Sequence, residues 1–317
     1  MLLYLLTGII NIINLSAMQT TTTADQNKKA LAELNLVLAQ RQKFIKVHAA
    51  EYLIWTGHAQ VALKEFLQQD KLYHNEPKYR ITIWRVLEQA DTDPVRKKKW
   101  LNNIYEAYKD MNGPDRTHAT ETLAKLKQPV ATLFPEITAK TMAAADRNLA
   151  TYALWADSYG SETRMVANRE KLLNMALTDT NVIIRRISTF VLRKEQGLSM
   201  PQWERLVTAA MAMSKTDELY VTFLSTALVT APAGASTHQL ALIDALITSN
   251  IKPYSVAVRT ELALALAEKG TKKHLNLLMG MLENKDCEGI YDPASDEGAD
   301  LRAAAAFAIL KINSRKH

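Results

Sequence analysis

The chain has 317 residues, with 39 Lys and Arg against 33 Asp and Glu, and a formal net charge of +6. Its ten glycines and nine prolines are about half as frequent as in an average protein, which excludes collagen-like and proline-rich chains. The same scarcity disfavours β-sandwiches and barrels, whose many turns need these residues. An apolar fraction of 48% and a charged fraction of 23% indicate a folded protein.

The first 17 residues, MLLYLLTGIINIINLSA, carry no charged side chain and are mostly apolar. They are too few for a membrane helix, which needs about 20 apolar residues. The polar stretch that follows favours a secretory signal peptide ending near Ala17, although no basic residue precedes the apolar run and Leu15 stands where a small residue is preferred. The alternative is an N-terminal helix packed on the body. We predict a signal peptide or apolar segment at residues 1–17, a flexible tether at 18–30 and one domain at 31–317.

A sequence repeat occupies the chain from residue 46 onward. Its pattern is a basic residue, then a small or apolar residue at the third following position and an aliphatic residue at the seventh. Seven copies begin with a basic residue, and an eighth without one begins at Tyr220. The basic positions are Lys46, Arg80, Arg116, Arg147, Arg185, Arg259 and Arg302. The mean spacing of about 37 residues predicts an array of similar structural units.

The pattern within each copy is that of an amphipathic helix, because offsets of three, four and seven residues share one helix face. In the first copy that face holds Val47, Ala50 and Leu53, and a second amphipathic stretch follows Gly57. A glycine suits such a helix end because it adopts left-handed backbone angles. One helix pair cannot bury its apolar faces alone, so neighbouring pairs must stack. We therefore predict an all-α fold, a solenoid of about eight antiparallel helix pairs.

An aspartate often stands just before the basic residue of a copy, at Asp115, Asp146 and Asp300. Its side chain can cap the N-terminus of a helix, and the basic side chain can reach the cap of a neighbouring unit. We expect these basic residues to have a structural role.

The pattern Asp-x-Arg-x-x-Ala-Ala-x-x-Leu, followed by a glycine turn and a second helix, resembles the HEAT and HEAT-like repeats. The likeness is strongest at residues 46–69, 115–126, 179–193, 255–282 and 300–311. It implies a helical superhelix and specifies a fold rather than an activity.

A narrower likeness concerns three segments, residues 44–53, 79–87 and 112–116. They look like the HEAT-like segment attached to some bacterial sodium:solute symporters, in which an exported helical domain would precede the membrane bundle. No membrane bundle follows in this sequence. The resemblance therefore implies a split or stand-alone version, and no transport activity is carried over.

Three stretches interrupt the repeat: residues 127–146 with two prolines, the small-residue loop 230–237, and the acidic stretch 284–300. The acidic stretch offers Asp292, Asp296 and Asp300 as hard oxygen ligands of the kind that calcium prefers. Their spacing does not match an EF-hand loop, and a solvated surface loop is the favoured interpretation.

Two His-x-x-Glu pairs, His48/Glu51 and His118/Glu121, place an imidazole and a carboxylate on one helix face. Carboxylate-bridged metal centres use related spacing, but these pairs are two repeats apart, and stacked helices would separate them by about 20 Å. We predict hydrogen bonds rather than a metal site. The single cysteine, Cys287, lies among acidic residues that raise a thiol pKa, which makes it a poor nucleophile. We predict no catalytic residue, metal or cofactor.

These observations favour a non-enzymatic interaction or scaffold protein of the bacterial cell envelope, whose partner is a membrane transporter or another envelope protein. The expected location is extracytoplasmic, in the periplasm or at the inner membrane, with membrane contact only through the N-terminal segment. It is cytoplasmic if that segment is not a signal.

The alternative is a cytoplasmic HEAT-like DNA glycosylase or other nucleic-acid-binding protein. Such a fold would use tryptophans and aspartates in a basic groove, for which the candidates are Trp84, Trp100, Trp155, Asp146 and Asp157. Packing in the hydrophobic core explains the tryptophans on the periodic helix faces more simply than a nucleic-acid site does. The basic run RKKK at residues 96–99 fits a solvated helix face, so we do not expect nucleic acid as a partner.

Overall fold

The computed structural model describes residues 22–249, 251, 253–285 and 291–315. These residues form 17 α-helices and one short 3-10 helix, Lys272–His274, and they contain no strand. The predicted all-α class is confirmed. The apolar segment 1–17 and Cys287 lie outside the described residues.

In chain order the α-helices are α1 (Thr23–Gln40), α2 (Lys43–Trp55), α3 (Ala59–Tyr73), α4 (Tyr79–Ala90), α5 (Pro94–Lys109), α6 (Arg116–Lys125), α7 (Val130–Leu133), α8 (Pro135–Met142), α9 (Arg147–Ser158), α10 (Glu162–Thr178), α11 (Val182–Glu195), α12 (Met200–Ala212), α13 (Tyr220–Thr230), α14 (Thr237–Thr248), α15 (Val256–Lys269), α16 (Leu275–Leu282) and α17 (Asp296–Ser314).

Eight of these helices pack side by side in succession, and we call them the inner ring. They are α2, α4, α6, α9, α11, α13, α15 and α17, and α17 in turn packs against α2. The remaining helices lie against the outside of this ring; α1, for example, packs on both α2 and α17, and α3 packs on α2 and α4. The described chain is therefore a two-layered ring of helices whose last helix meets its first two.

Polar contacts join α17 to α1 and α2, where the ring closes. The Nε atom of Arg302 on α17 donates to Oε1 of Glu33 on α1 at 2.7 Å. On the inner layer, Nδ1 of His48 on α2 lies 2.8 Å from Oδ1 of Asp300 on α17. An open array leaves its first and last units apart, so these contacts between sequence ends distinguish the ring from an extended superhelix.

Close packing of α17 follows from its small side chains. Ala303, Ala304, Ala305 and Ala306 are all fully buried, and α17 packs against α1, α2, α15 and α16. Alanine on every side of a helix allows neighbouring backbones to approach closely without a cavity.

Helix ends follow local capping chemistry. Asp146 caps α9, because its Oδ1 accepts from the backbone N–H of Asn148 at 2.9 Å, and Gly57 adopts φ +89° in the turn after α2. Asp115 makes no such cap; its carboxylate instead accepts from Lys78 and Arg80.

Two sequence-based boundaries and one predicted helix cap need correction. The tether predicted for residues 18–30 is wrong over 23–30, which form the first turns of α1, because Thr22 caps the helix and Ala30 is fully buried. The acidic loop predicted to extend to residue 300 ends earlier, because Ser295 caps α17 and Asp296 begins it. Asp300 therefore lies inside α17 and caps no helix.

The other two predicted interruptions of the repeat coincide with a pair of short helices and with a connecting loop. Residues 127–146 hold only the four-residue α7 and the eight-residue α8. Residues 231–236 form the connection between α13 and α14.

All seven basic repeat positions lie in helices of the inner ring, and each has a polar partner. Two of them reach an aspartate just before the next inner-ring helix: Arg80 donates through Nε to Asp115 at 2.8 Å, and Arg147 pairs with Asp179. The remaining partners are Glu65 for Lys46 (2.6 Å), Thr141 for Arg116 (2.7 Å), the carbonyl oxygen of Ala176 for Arg185 (2.8 Å), the carbonyl oxygen of Tyr254 for Arg259 (2.9 Å) and Glu33 for Arg302 (2.7 Å).

Candidate functional site

The inner ring surrounds a cavity of about 360 Å³. Each of the eight ring helices, or the residues just after it, contributes side chains to its wall. Known small-molecule sites have volumes of about 300–1,000 Å³ and combine apolar walls with a few polar groups. The cavity is therefore large enough for a small ligand, and its position at the centre of the ring makes it the candidate functional site.

Aromatic side chains form much of the cavity wall. Tyr52 and Phe307 stack with ring centroids 4.7 Å apart, and Trp55 lies 5.8 Å from Phe307. Trp155 and Phe190 make an edge-to-face pair at 5.6 Å. Trp55 is 42% exposed although it lies in the inner ring, so its indole is open to the cavity. Rings in such geometries provide rigid apolar surface for a ligand.

A buried ion pair crosses one side of the cavity. Glu51 accepts from Nε and Nη2 of Arg85 at 2.7 and 3.2 Å, and Nη1 of Arg85 donates to Thr122 at 3.1 Å. Gln89 donates to the same carboxylate at 3.1 Å. Burial raises the pKa of Glu51, but the Arg85 guanidinium and Lys125 outweigh it and hold that pKa at about 2. The pair therefore links α2, α4 and α6 and stays ionised at neutral pH.

Two further cations of the wall have carboxylate partners. Lys125 pairs with Glu121 at 2.7 Å, and Arg193 lies 3.4 Å from Glu261 while donating to Thr226 at 2.9 Å. Burial raises the pKa of Glu121, but Lys125 and Arg85 outweigh it and lower the pKa below its usual value.

Lys194 is placed differently. Its Nζ lies 5.7 Å from the ring centroids of both Trp55 and Phe190, and no described residue forms an ion pair or hydrogen bond with it. Enclosure by the ring lowers the pKa of Lys194, the Glu268 carboxylate opposes this, and the nearby Lys125 and Arg193 lower the pKa further. An ammonium held over aromatic faces is stabilised by cation–π attraction.

Glu195, the last residue of α11, lies between the cavity-lining residues Lys194 and Gln196. Burial raises its pKa to about 7, against the opposing effects of the Ser158 hydroxyl and Arg169. This carboxyl therefore changes its charge near neutral pH.

The two His-x-x-Glu pairs do not come together. His48 and Glu51 line the cavity with separate partners, Asp300 and Arg85. His118 instead stacks on Phe44 at 5.9 Å. Among the residues that the structure describes, no group of three or more His, Cys, Asp or Glu side chains is arranged to hold a metal ion.

Each of the three calcium candidates has another partner. Oδ1 of Asp292 accepts from the backbone N–H of Ala294 at 2.8 Å. Asp296 pairs with Arg41 at 3.2 Å, and Asp300 lies in the cavity wall beside His48.

The residues considered for the glycosylase alternative have separate surroundings. Trp155 lines the central cavity, whereas Trp84 lines a separate surface depression and Trp100 is buried at the inner face of α5. Asp146 caps α9, and Asp157 accepts from Asn168 at 2.8 Å.

Sequence reasoning missed most of the cavity wall, although the repeat contains a signal for it. The residue nine positions after the repeat start lines the cavity in six of the eight copies. These residues are Trp55, Gln89, Lys125, Lys194, Val229 and Glu268. Their chemical types differ, so a search for shared residue identities passes over them.

Comparison of the chain with protein-family models, with curated proteins and with solved structures finds no match. Within the described ranges, no helix has the length and hydropathy that a membrane crossing requires. The class defined by fold and site is an all-α protein whose inner helices surround a cavity with aromatic and charged walls.

Proposed function

We propose that this is a non-enzymatic binding protein whose central cavity takes a small, partly apolar ligand. The observation that carries the proposal is the convergence of all eight inner-ring helices on one cavity of about 360 Å³. Trp55 and Phe190 supply rigid apolar surface, and the ion pairs around them supply fixed charges. A site assembled from so many helices is preorganised, which reduces the entropic cost of binding.

We also propose that the ring is a HEAT-like array of eight helix pairs closed on itself. In support, all eight repeat starts lie in inner-ring helices, and outer helices alternate with them along most of the chain. Closure converts the concave surface of such an array into a central cavity.

Leu264→Trp tests the binding function. Leu264 is half-buried on α15 and lines the cavity, so an indole at this position would occupy the space that a ligand needs. We expect wild-type protein to bind the neutral aromatic probe 2-naphthalenemethanol in calorimetric titration, and the variant to bind it at least about tenfold more weakly.

The matched control is Leu72→Trp, because Leu72 lies on the outer helix α3 and is 69% exposed. This variant should bind the probe like the wild type, and both variants should keep wild-type helical circular dichroism. Equal binding of the probe by Leu264→Trp and wild type would contradict the proposed function.

The location and partner remain proposals supported by sequence. The apolar residues 1–17 support an exported protein, and the symporter likeness supports a transporter or another envelope protein as partner. Cell fractionation that finds the protein entirely in the cytosol with its N-terminus intact would overturn the extracytoplasmic location.

A further inference from the structure

We propose that the cavity selects small organic acids, with the ligand carboxylate bound by Lys194 and its apolar body packed against Trp55 and Phe190. This inference rests on the proposed binding function and specifies the chemical class of the ligand.

The first argument is the distribution of partners among the charged groups of the wall. Glu51 is paired with Arg85, and Lys125 and Arg193 each have a carboxylate of their own. Lys127 and Lys194 also lie on the cavity wall, and neither side chain has a hydrogen-bond acceptor or ion-pair partner among the described residues. Of these two, Lys194 is the one whose Nζ lies over the rings of Trp55 and Phe190. An ammonium with unused donors is available to bind a ligand carboxylate.

The second argument is the concentration of positive charge around Phe190. The Nζ atoms of Lys125 and Lys194 each lie 5.7 Å from the centroid of this ring, and Arg193 precedes Lys194 on the same helix. Desolvation within the ring is the main cause of the lowered pKa of Lys194, and repulsion by Lys125 and Arg193 lowers this pKa further. An anion bound at Lys194 would relieve this repulsion.

Glu268 is the acidic group that opposes this effect most strongly, ahead of Glu51, which is already paired with Arg85. It lies on α15 in the same wall and is exposed, but it is not within ion-pair distance of Lys194. It favours a charged Lys194 without occupying its donors, so the ammonium remains open to a ligand.

The third argument is the surface next to the ammonium. The rings of Trp55 and Phe190 lie at equal distances of 5.7 Å from Nζ, so a ligand whose carboxylate binds there has aromatic surface on two sides. Inorganic anions would leave that surface uncovered. An acid with an apolar or planar body uses both features, because the apolar surface it covers adds to the charge-assisted hydrogen bond.

The experiment compares three probes with the same ring system by calorimetric titration: 2-naphthoate, 2-naphthalenemethanol and 2-naphthylmethylammonium. We expect wild-type protein to bind the carboxylate most tightly. Lys194→Met keeps most of the aliphatic stem, and it should weaken 2-naphthoate binding about tenfold by removing a charge-assisted hydrogen bond while leaving the alcohol unchanged. Lys98→Met, on the exposed face of the outer helix α5, is the matched control and should change neither affinity.

The outcomes separate the two proposals. If the alcohol binds but the carboxylate binds no more tightly, or if Lys194→Met weakens both probes equally, the organic-acid inference is wrong and the binding function stands. Tighter binding of the ammonium probe would assign the cavity to cations and also overturn the inference. If none of the three probes binds, both proposals fail.

Discussion

Arg85→Met is expected to lower the free energy of unfolding by about 3–5 kcal/mol, because it leaves the buried carboxylate of Glu51 without its cation. Glu51 and Arg85 are 5% and 2% exposed, and their two hydrogen bonds join α2 to α4. A methionine fills similar space but offers no donor, so the carboxylate must remain desolvated or become protonated. Urea denaturation at pH 7 measures the loss.

Two further variants separate the effect of the ion pair on stability from the effect of side-chain packing. The double variant Glu51→Gln/Arg85→Met removes both charges and should recover most of the lost stability, since no uncompensated charge remains. Arg205→Met breaks the solvent-exposed pair with Glu170, whose side chains are 44% and 41% exposed, and should cost no more than about 1 kcal/mol. An Arg85→Met protein as stable as the wild type would contradict the buried pair.

Glu195→Gln is expected to stabilise the protein at alkaline pH and to have little effect at acidic pH. Burial raises the pKa of Glu195 from 4.5 to about 7 in the folded protein, so the folded state binds its proton more tightly than the unfolded state. Wild-type stability should therefore fall as the pH rises from about 4.5 to 7, by about 3 kcal/mol for this shift. Glutamine, which does not ionise, avoids this loss.

Denaturation at pH 4 and pH 8 measures the effect. The stability difference between Glu195→Gln and wild type should increase by about 3 kcal/mol between the two pH values. Glu204→Gln is the matched control, because Glu204 is exposed on the outer helix α12, and its difference from wild type should change little. A constant difference for Glu195→Gln would show that this carboxyl is not held in an environment that disfavours its charge.

The helical class and the repeat starts were predictable because they depend on local patterns. Apolar residues at three- and four-residue offsets determine which face of a helix is buried, and positions such as Lys46, Arg80 and Arg147 fall in the first turns of α2, α4 and α9. The turn at Gly57 was predictable for the same reason, since its left-handed φ depends on the residue itself.

Ring closure was not predictable, because it depends on the small rotation between neighbouring units added over the whole array. Glu33 and Arg302 are 269 residues apart in sequence, and neither has a local feature that marks the other as its partner. The wrong prediction of a flexible tether over residues 23–30 has a similar origin. The residues around Lys28 and Lys29 are polar, and only packing of Ala30 and Leu34 in the core shows why they form a helix.

The candidate site was predictable only in part. His48 and Glu51 stand out in sequence as a possible metal pair, and both line the cavity, but Asp300 and Arg85 are their partners. Lys194 has no distinguishing sequence context. Its importance follows from Trp55, which is far away in the chain and adjacent only in the closed ring.

A double-mutant cycle between Glu33 and Arg302 tests most directly whether α17 meets α1 and closes the ring around the cavity. Glu33→Gln, Arg302→Met and the combined variant are compared with wild type by urea denaturation. Arg302→Met also removes the contact of Arg302 with the carbonyl oxygen of Pro293. That loss is the same in the wild-type and Glu33→Gln backgrounds, so it cancels from the coupling energy. A closed ring predicts a coupling energy of about 1–3 kcal/mol between the two positions, whereas additivity within about 0.3 kcal/mol would contradict closure.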